Sequence, residues 1–163
     1  MSATAVRKQS LGTPTTMRPL SVLVAEDHPL YRRGVVKALA ARPLDFDVVG
    51  EADDGLRALA MIEQLQPDVA LLDLRMPGLD GLEICERLRD LDPPLPTKVL
   101  LLSAFDDPEL VASAIAAGAA GYLDKHVSHQ ELCNAIVQVG AGGIAYTHRT
   151  AAGLARRFEE LFR

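Results

Sequence analysis

Five residues at four separate places in the chain could do chemistry together: Glu26 and Asp27, Asp73, Ser103 and Lys125. Each stands where a short apolar run ends. Clustered carboxylates repel and raise one another's pKa, so they need a cation, and an all-oxygen, incompletely enclosing set suits Mg²⁺ better than zinc. Lys125 supplies the remaining positive charge. Asp73, which follows Val69-Ala-Leu-Leu72, is expected deepest and most central and is therefore the candidate nucleophile. A carboxylate can attack a phosphoryl group when metal and ammonium neutralise the oxygens in flight. On this reading Asp27 ligates Mg²⁺ directly and Glu26 does so directly or through water. The backbone carbonyl of Arg75 completes the protein ligands, and Ser103 hydrogen-bonds the new phosphoryl oxygen. One Asp at a strand end is ordinarily a loop cap, but three carboxylates, a hydroxyl and a lysine at four strand ends are hard to obtain from caps.

The elements that must position these residues follow from hydrophobic period. Ser21–Ala25, Phe46–Val49, Val69–Leu72, Val99–Leu102 and Gly121–Leu123 are apolar runs recurring about every 25 residues, which predicts five strands. The first, third and fourth are apolar on both alternating faces, as parallel strands covered by helices are. The intervals carry helical stripes: Leu30, Gly34, Val35, Ala38 and Leu39; Leu56, Leu59 and Ile62; Leu82, Cys85 and Leu88; Leu110, Val111, Ala114 and Ile115; Leu132, Ile136 and Val139. An alternating (βα)5 chain predicts an α/β, doubly wound, three-layer sandwich, since the repeats are too few for a closed barrel. Its ligand site lies beyond the carboxyl ends of the strands, where the five residues stand. Met76-Pro-Gly-Leu-Asp-Gly81 is turn chemistry that lifts the chain over that site before the next helix.

Composition narrows the function classes. The 163 residues carry 17 Lys and Arg against 22 Asp and Glu and are 48% hydrophobic, which excludes an extended acidic disordered chain. Residues 1–18 hold Arg7, Lys8 and Arg18 with no acid, so the remainder has 14 bases against 22 acids, a charge of −8 and a poor nucleic-acid surface. Aromatics at 4% make a stacking platform for single strands unsuitable. Cys85 and Cys133 fit no metal or redox spacing and read as small buried hydrophobes. The absence of a long apolar run or signal-peptide pattern points to no membrane contact and a cytoplasmic location. Residues 1–18 read as a disordered leader.

The motifs Glu26-Asp-His-Pro29, Leu71-Leu-Asp-Leu-Arg-Met-Pro-Gly-Leu-Asp-Gly81, Leu102-Ser-Ala104 and Gly118-Ala-Ala-Gly-Tyr-Leu-Asp-Lys125 together resemble the receiver domain of bacterial two-component response regulators. The resemblance runs from Ser21 through Gly140. It implies the CheY-like, flavodoxin-like sheet order 2-1-3-4-5, which is carried over rather than read from the residues. It further implies that a sensor histidine kinase phosphorylates Asp73 with Mg²⁺ at Glu26, Asp27 and Asp73, while Lys125 pairs with the phosphoryl group. Ser103 then moves toward the phosphate and Tyr122 turns inward, switching a surface that controls output. In this family the domain is a phosphoacceptor that assists its own phosphotransfer and dephosphorylation rather than an enzyme acting on external substrates.

Asp27-His-Pro-Leu-Tyr-Arg-Arg-Gly34 is similar to the NarL/FixJ (LuxR-type) subfamily, whose members continue into a helix-turn-helix DNA-binding domain. A receiver domain is accordingly expected at 20–141. Residues 142–163 read as a linker with an amphipathic helix, striped by Leu154, Phe158, Leu161 and Phe162, leading to a DNA-binding domain absent from this chain. The resemblance and this apolar stripe together suggest a homodimer on phosphorylation. A stand-alone regulator acting by protein contact is the alternative. Three positions depart from the commoner pattern: Glu26 for Asp, Ser103 for Thr, and His126 for Pro. The first two keep the chemistry, and the third disfavours a cis peptide after Lys125, since non-proline cis bonds cost ~3 kcal/mol.

Other readings are weaker. Phosphatases with an aspartate nucleophile need a second acid two residues on, where this chain has Arg75. No phosphate loop follows the first strand. His126 and His129 lack a third ligand and read as solvated polar residues, and His28 reads as a cap. Asp106 and Asp107 read as a solvated pair opening the helix at Pro108.

Overall fold

The computed structural model describes residues 18–104, 107–146 and 159–160. Strands and helices alternate: β1 (Leu20–Ala25), α1 (Pro29–Ala40), β2 (Phe46–Ala52), α2 (Gly55–Leu65), β3 (Val69–Asp73), α3 (Gly81–Arg89), β4 (Lys98–Ser103), α4 (Pro108–Ala116), β5 (Gly121–Asp124), α5 (His129–Gly140) and β6 (Ala145–Tyr146). The sheet is parallel, in the order β2-β1-β3-β4-β5-β6. The expected doubly wound order is present, extended by a sixth strand that the five-strand reading did not contain. Two residues are too few to show a period. Their approach to β5 requires glycine, because a Cβ on Gly121 would stand 2.4 Å from the Ala145 carbonyl oxygen.

Two cores flank the sheet. Ala58, Ile62, Ile84, Cys85, Val111 and Ala114 from α2, α3 and α4 cover Leu23, Ala25, Ala52, Leu72 and Leu101. Val35, Leu39, Leu132, Ile136 and Val139 from α1 and α5 cover Val22, Val24, Phe46, Leu71 and Leu100. Cys85 and Cys133 are free and buried, and burial pushes the Cys85 thiol up to about 12. Between β1 and β2 the register shifts at Val22/Leu23, so that Val22 pairs with Val48 but Leu23 pairs with Gly50. One extra residue, Val49, is thereby accommodated.

The helical stripes correspond to the covered faces with exceptions. Leu30 is 71% and Leu56 59% exposed. Both stand in the first turn of their helix, at the carboxyl edge of the sheet, where least sheet lies beneath. Ile115 is also exposed, whereas Ile84, outside the expected stripe, is fully buried. Helix starts are set by side-chain caps: His28 for α1, Asp54 for α2, Asp80 with Glu83 as a capping box for α3, Asp107 for α4 and Ser128 for α5. Asp106 lies outside the described residues. So do Leu154, Phe158, Leu161 and Phe162; of that segment only Glu159 and Glu160 are described, and both are helical.

Candidate functional site

β3 has all five residues buried, and its last, Asp73, is carried to the carboxyl edge. Wholly buried Leu71 and Leu72 each contribute roughly 2 kcal/mol of burial. That is enough to offset the cost of holding a carboxylate in a poorly hydrated place. Glu26 and Asp27 follow β1, the neighbouring strand, so the strand order brings sequence-distant acids together. Gly55 supports the loop below: its N–H donates to the Pro77 carbonyl at 2.9 Å, and a Cβ there would lie 1.8 Å from the Leu79 carbonyl oxygen.

One carboxylate oxygen from each of Glu26, Asp27 and Asp73 lies within 4.8 Å of the others. Lys125 Nζ, from the end of β5, donates to Glu26 Oε1 at 2.7 Å and to Asp73 Oδ2 at 2.9 Å. Asp73 Oδ1 accepts the Arg75 N–H at 3.2 Å. The second Glu26 oxygen, Oε2, is buried without a hydrogen-bond partner. Burial pushes the Glu26 carboxyl up to about 8, helped by neighbouring Asp73 and opposed by Lys125. Burial alone would lower Lys125, but its hydrogen bonds to Glu26 and Asp73 outweigh it, and the ammonium is held above its ordinary range. Three convergent acids with one orphaned buried oxygen fit a small, hard divalent cation.

Asp73, Glu26, Asp27 and Lys125 are thus brought together, and Arg75 and Ala104 join them around a cavity of about 490 Å³. Ser103 is buried at the end of β4, next to Ala104, opposite Asp124 of β5. Tyr122 faces the α2–α4 core with no exposed surface. His28 lines the cavity while capping α1, its Nδ1 accepting the Tyr31 N–H at 3.4 Å. His126 is exposed, and its Nδ1 meets Asp124 Oδ1 at 2.7 Å. Among the described residues the one cluster able to hold a metal is the acidic trio, so His126 and His129 do not form another. The cis peptide among the described residues is Asp92–Pro93, and Lys125–His126 is trans.

Tyr31 was not among the expected site residues. Its ring lies under Lys125, 4.8 Å from Nζ to the ring centroid, and its hydroxyl donates to the Lys125 carbonyl at 3.4 Å. Burial pushes its phenol up to about 12, against the pull of Lys125. The one signal in the sequence was an aromatic residue four positions after Asp27, in the helix that opens over the site.

A strand-end acidic trio, two of its members gripped by the lysine that follows β5, defines a class on this sheet, and comparison with known proteins agrees. Residues 22–137 match the response regulator receiver domain family, and the chain belongs to it. It is 46% identical over 134 residues to the "Probable transcriptional regulatory protein NarL" of Mycobacterium tuberculosis, covering 82% of this chain and 61% of that protein. To the nitrate/nitrite response regulator protein NarL of Escherichia coli K12 it is 38% identical over 128 residues, 78% of this chain and 58% of the other. The chain therefore spans about three-fifths of the length of these curated relatives. A solved receiver domain of the M. tuberculosis NarL superposes with a TM-score of 0.74 at 46% identity, covering 77% of this chain and 99% of that one. A LuxR-family two-component response regulator from Aurantimonas superposes with a TM-score of 0.78 at 29% identity, covering 85% and 97%. Among the described residues no helix is long and apolar enough to cross a membrane.

Proposed function

We propose that residues 20–141 accept a phosphoryl group on Asp73 from the phosphohistidine of a sensor kinase. The observation that carries this reading is Lys125, whose ammonium grips Asp73 and Glu26 at once beside an unpartnered buried Glu26 oxygen. Glu26, Asp27 and Asp73, with the Arg75 carbonyl, would hold Mg²⁺, which supplies charge neutralisation for the phosphoryl oxygens when bound. Asp73 provides the attacking oxygen: an O–P bond forms, the N–P bond of the donor breaks, and the imidazole leaves with the bonding pair. Lys125 neutralises charge on the transferred group, and Ser103 donates a hydrogen bond to it. The buried Tyr122, one strand from Ser103, couples that rearrangement to the face of β5 and α4.

The output is transcriptional in this reading. The relatives named above are transcriptional or response regulators longer than this chain, which supports a DNA-binding domain following a linker at 142–163. Phosphorylation favours a homodimer, in the cytoplasm. The deciding experiment treats the protein with acetyl phosphate and Mg²⁺ and reads intact mass and the modified residue. One phosphoryl group on Asp73, absent from Asp73→Asn, is expected. Equal uptake by both proteins refutes the assignment.

A further inference from the structure

The backbone of Glu26 is held on both sides. Its N–H donates to the Ala52 carbonyl at 3.0 Å, and its carbonyl accepts from Arg32 Nη1 at 2.6 Å. Arg32 lies in α1 with its side chain 21% exposed, and its Nε meets Glu51 Oε1 at 3.3 Å. One guanidinium thereby ties α1, the end of β2 and the acidic loop. The carbonyl it grips belongs to the peptide shared with Asp27. Because a peptide is planar, fixing that C=O fixes the direction in which the chain departs toward the Asp27 Cα. That direction decides the aim of the Asp27 carboxylate, which is exposed and receives no hydrogen bond or ion pair from a described residue.

We propose that Arg32 is a positioning residue for the divalent-cation site, aiming Glu26 and Asp27 by locking the peptide between them. The inference rests on the metal reading above. It makes a prediction of unusual sign. A guanidinium near a cation site repels the cation, so neutralising it tightens binding if charge is all that matters. If the lock matters, neutralising it weakens binding. If Arg32 only docks α1 on β2, unfolding shifts and cation affinity does not.

The test is calorimetric titration of Mg²⁺ into the unphosphorylated full chain, native and as Arg32→Met, Arg32→Lys and Asp27→Asn, so the readout is binding and not phosphorylation. Arg32→Met is expected to weaken Mg²⁺ roughly tenfold although it removes a positive charge, the scale of lost outer-shell support at metal sites. Arg32→Lys keeps the charge but reaches only one of the two acceptors, and is expected to fall between. Affinity in Arg32→Met equal to or tighter than native overturns the proposal. Should circular dichroism show that Arg32→Met does not fold, Arg32→Lys decides in the same terms: weakened binding supports the lock, and unchanged binding overturns it. A native chain that takes up no Mg²⁺ overturns the metal reading and the Arg32 role with it. Native binding that is lost in Asp27→Asn but unchanged in Arg32→Met overturns the Arg32 role alone.

Discussion

Two carboxylates stand at opposite edges of one sheet and meet opposite treatment. Asp68, just before β3, accepts from Arg18 Nη2 at 2.9 Å and from the Ser21 N–H at 2.8 Å, and its own N–H is taken by the Ser21 hydroxyl at 2.8 Å. The Arg18 guanidinium beside it holds its carboxyl down at about 2 despite some burial, with Ser21 adding to the effect. Glu26, just after β1, is buried more deeply, keeps an unpartnered oxygen, and is pushed up to about 8. The amino edge of the sheet satisfies its acid with the protein's own donors. The carboxyl edge leaves its acids short of positive charge, the condition a cation site requires.

Removing Lys125 should widen that contrast most. Lys125→Met leaves Glu26 and Asp73 facing each other, and we expect about 3 kcal/mol of destabilisation at pH 8, read by urea unfolding without Mg²⁺. At pH 6 the loss should shrink, since Glu26 then takes up a proton. An equal loss at both pH values would show that the acids do not repel. Asp68→Asn should cost about 1 kcal/mol near neutrality without altering phosphoryl uptake. The sign follows from linkage. A folded pKa of about 2 lies below the unfolded carboxylate value, so this stability is present above pH ~4 and lost as pH falls through ~2. The variant should flatten that acid limb, and an unchanged limb would break the assignment.

Glu26 has the reverse sign. Its folded pKa of about 8 exceeds its ordinary value of 4.5, so ionising it erodes stability as pH rises from ~4.5 through ~8. Glu26→Gln should therefore raise the melting temperature of the Mg²⁺-free protein at pH 8 by on the order of 3 °C. A lowered melting temperature would remove the idea of an unsatisfied acid. The smallest effect is expected at Arg18, whose side chain is 70% exposed. Arg18→Gln should shift unfolding less than Asp68→Asn, and ~1 M salt should erase the effect of Arg18→Gln while leaving that of Asp68→Asn, which also loses the bonds from Ser21.

Much of the site was legible because strand ends in an open parallel sheet must converge. Asp73, Asp27, Glu26 and Lys125 needed only the strand assignments and the order of strands, the latter supplied by resemblance. Contacts that depend on tertiary reach were not legible. Nothing in the spacing of Tyr31 and Lys125 announces that one ring underlies the other's ammonium. Arg32 reads as one of two arginines on a helix until its neighbour on β2 is known. The strand β6 escaped because its two residues are recruited by β5 rather than by their own pattern. Leu30 and Leu56 misled for the opposite reason: they keep the helical period but extend past the surface that the period serves.

The extra residue in β2 governs more than local pairing. Phe46 and Val48 face the α1 side, and after Val49 is taken up Ala52 faces the other side, so Glu51 turns toward α1 and meets Arg32. Were Val49 counted in the strict two-residue alternation instead of being taken up by the shift, Glu51 would fall out of phase and be presented to α2. The aim of the acidic loop thus depends on a one-residue irregularity in an outlying strand, which lets the seven residues of β2 run beside the six of β1 without turning Glu51 away from Arg32.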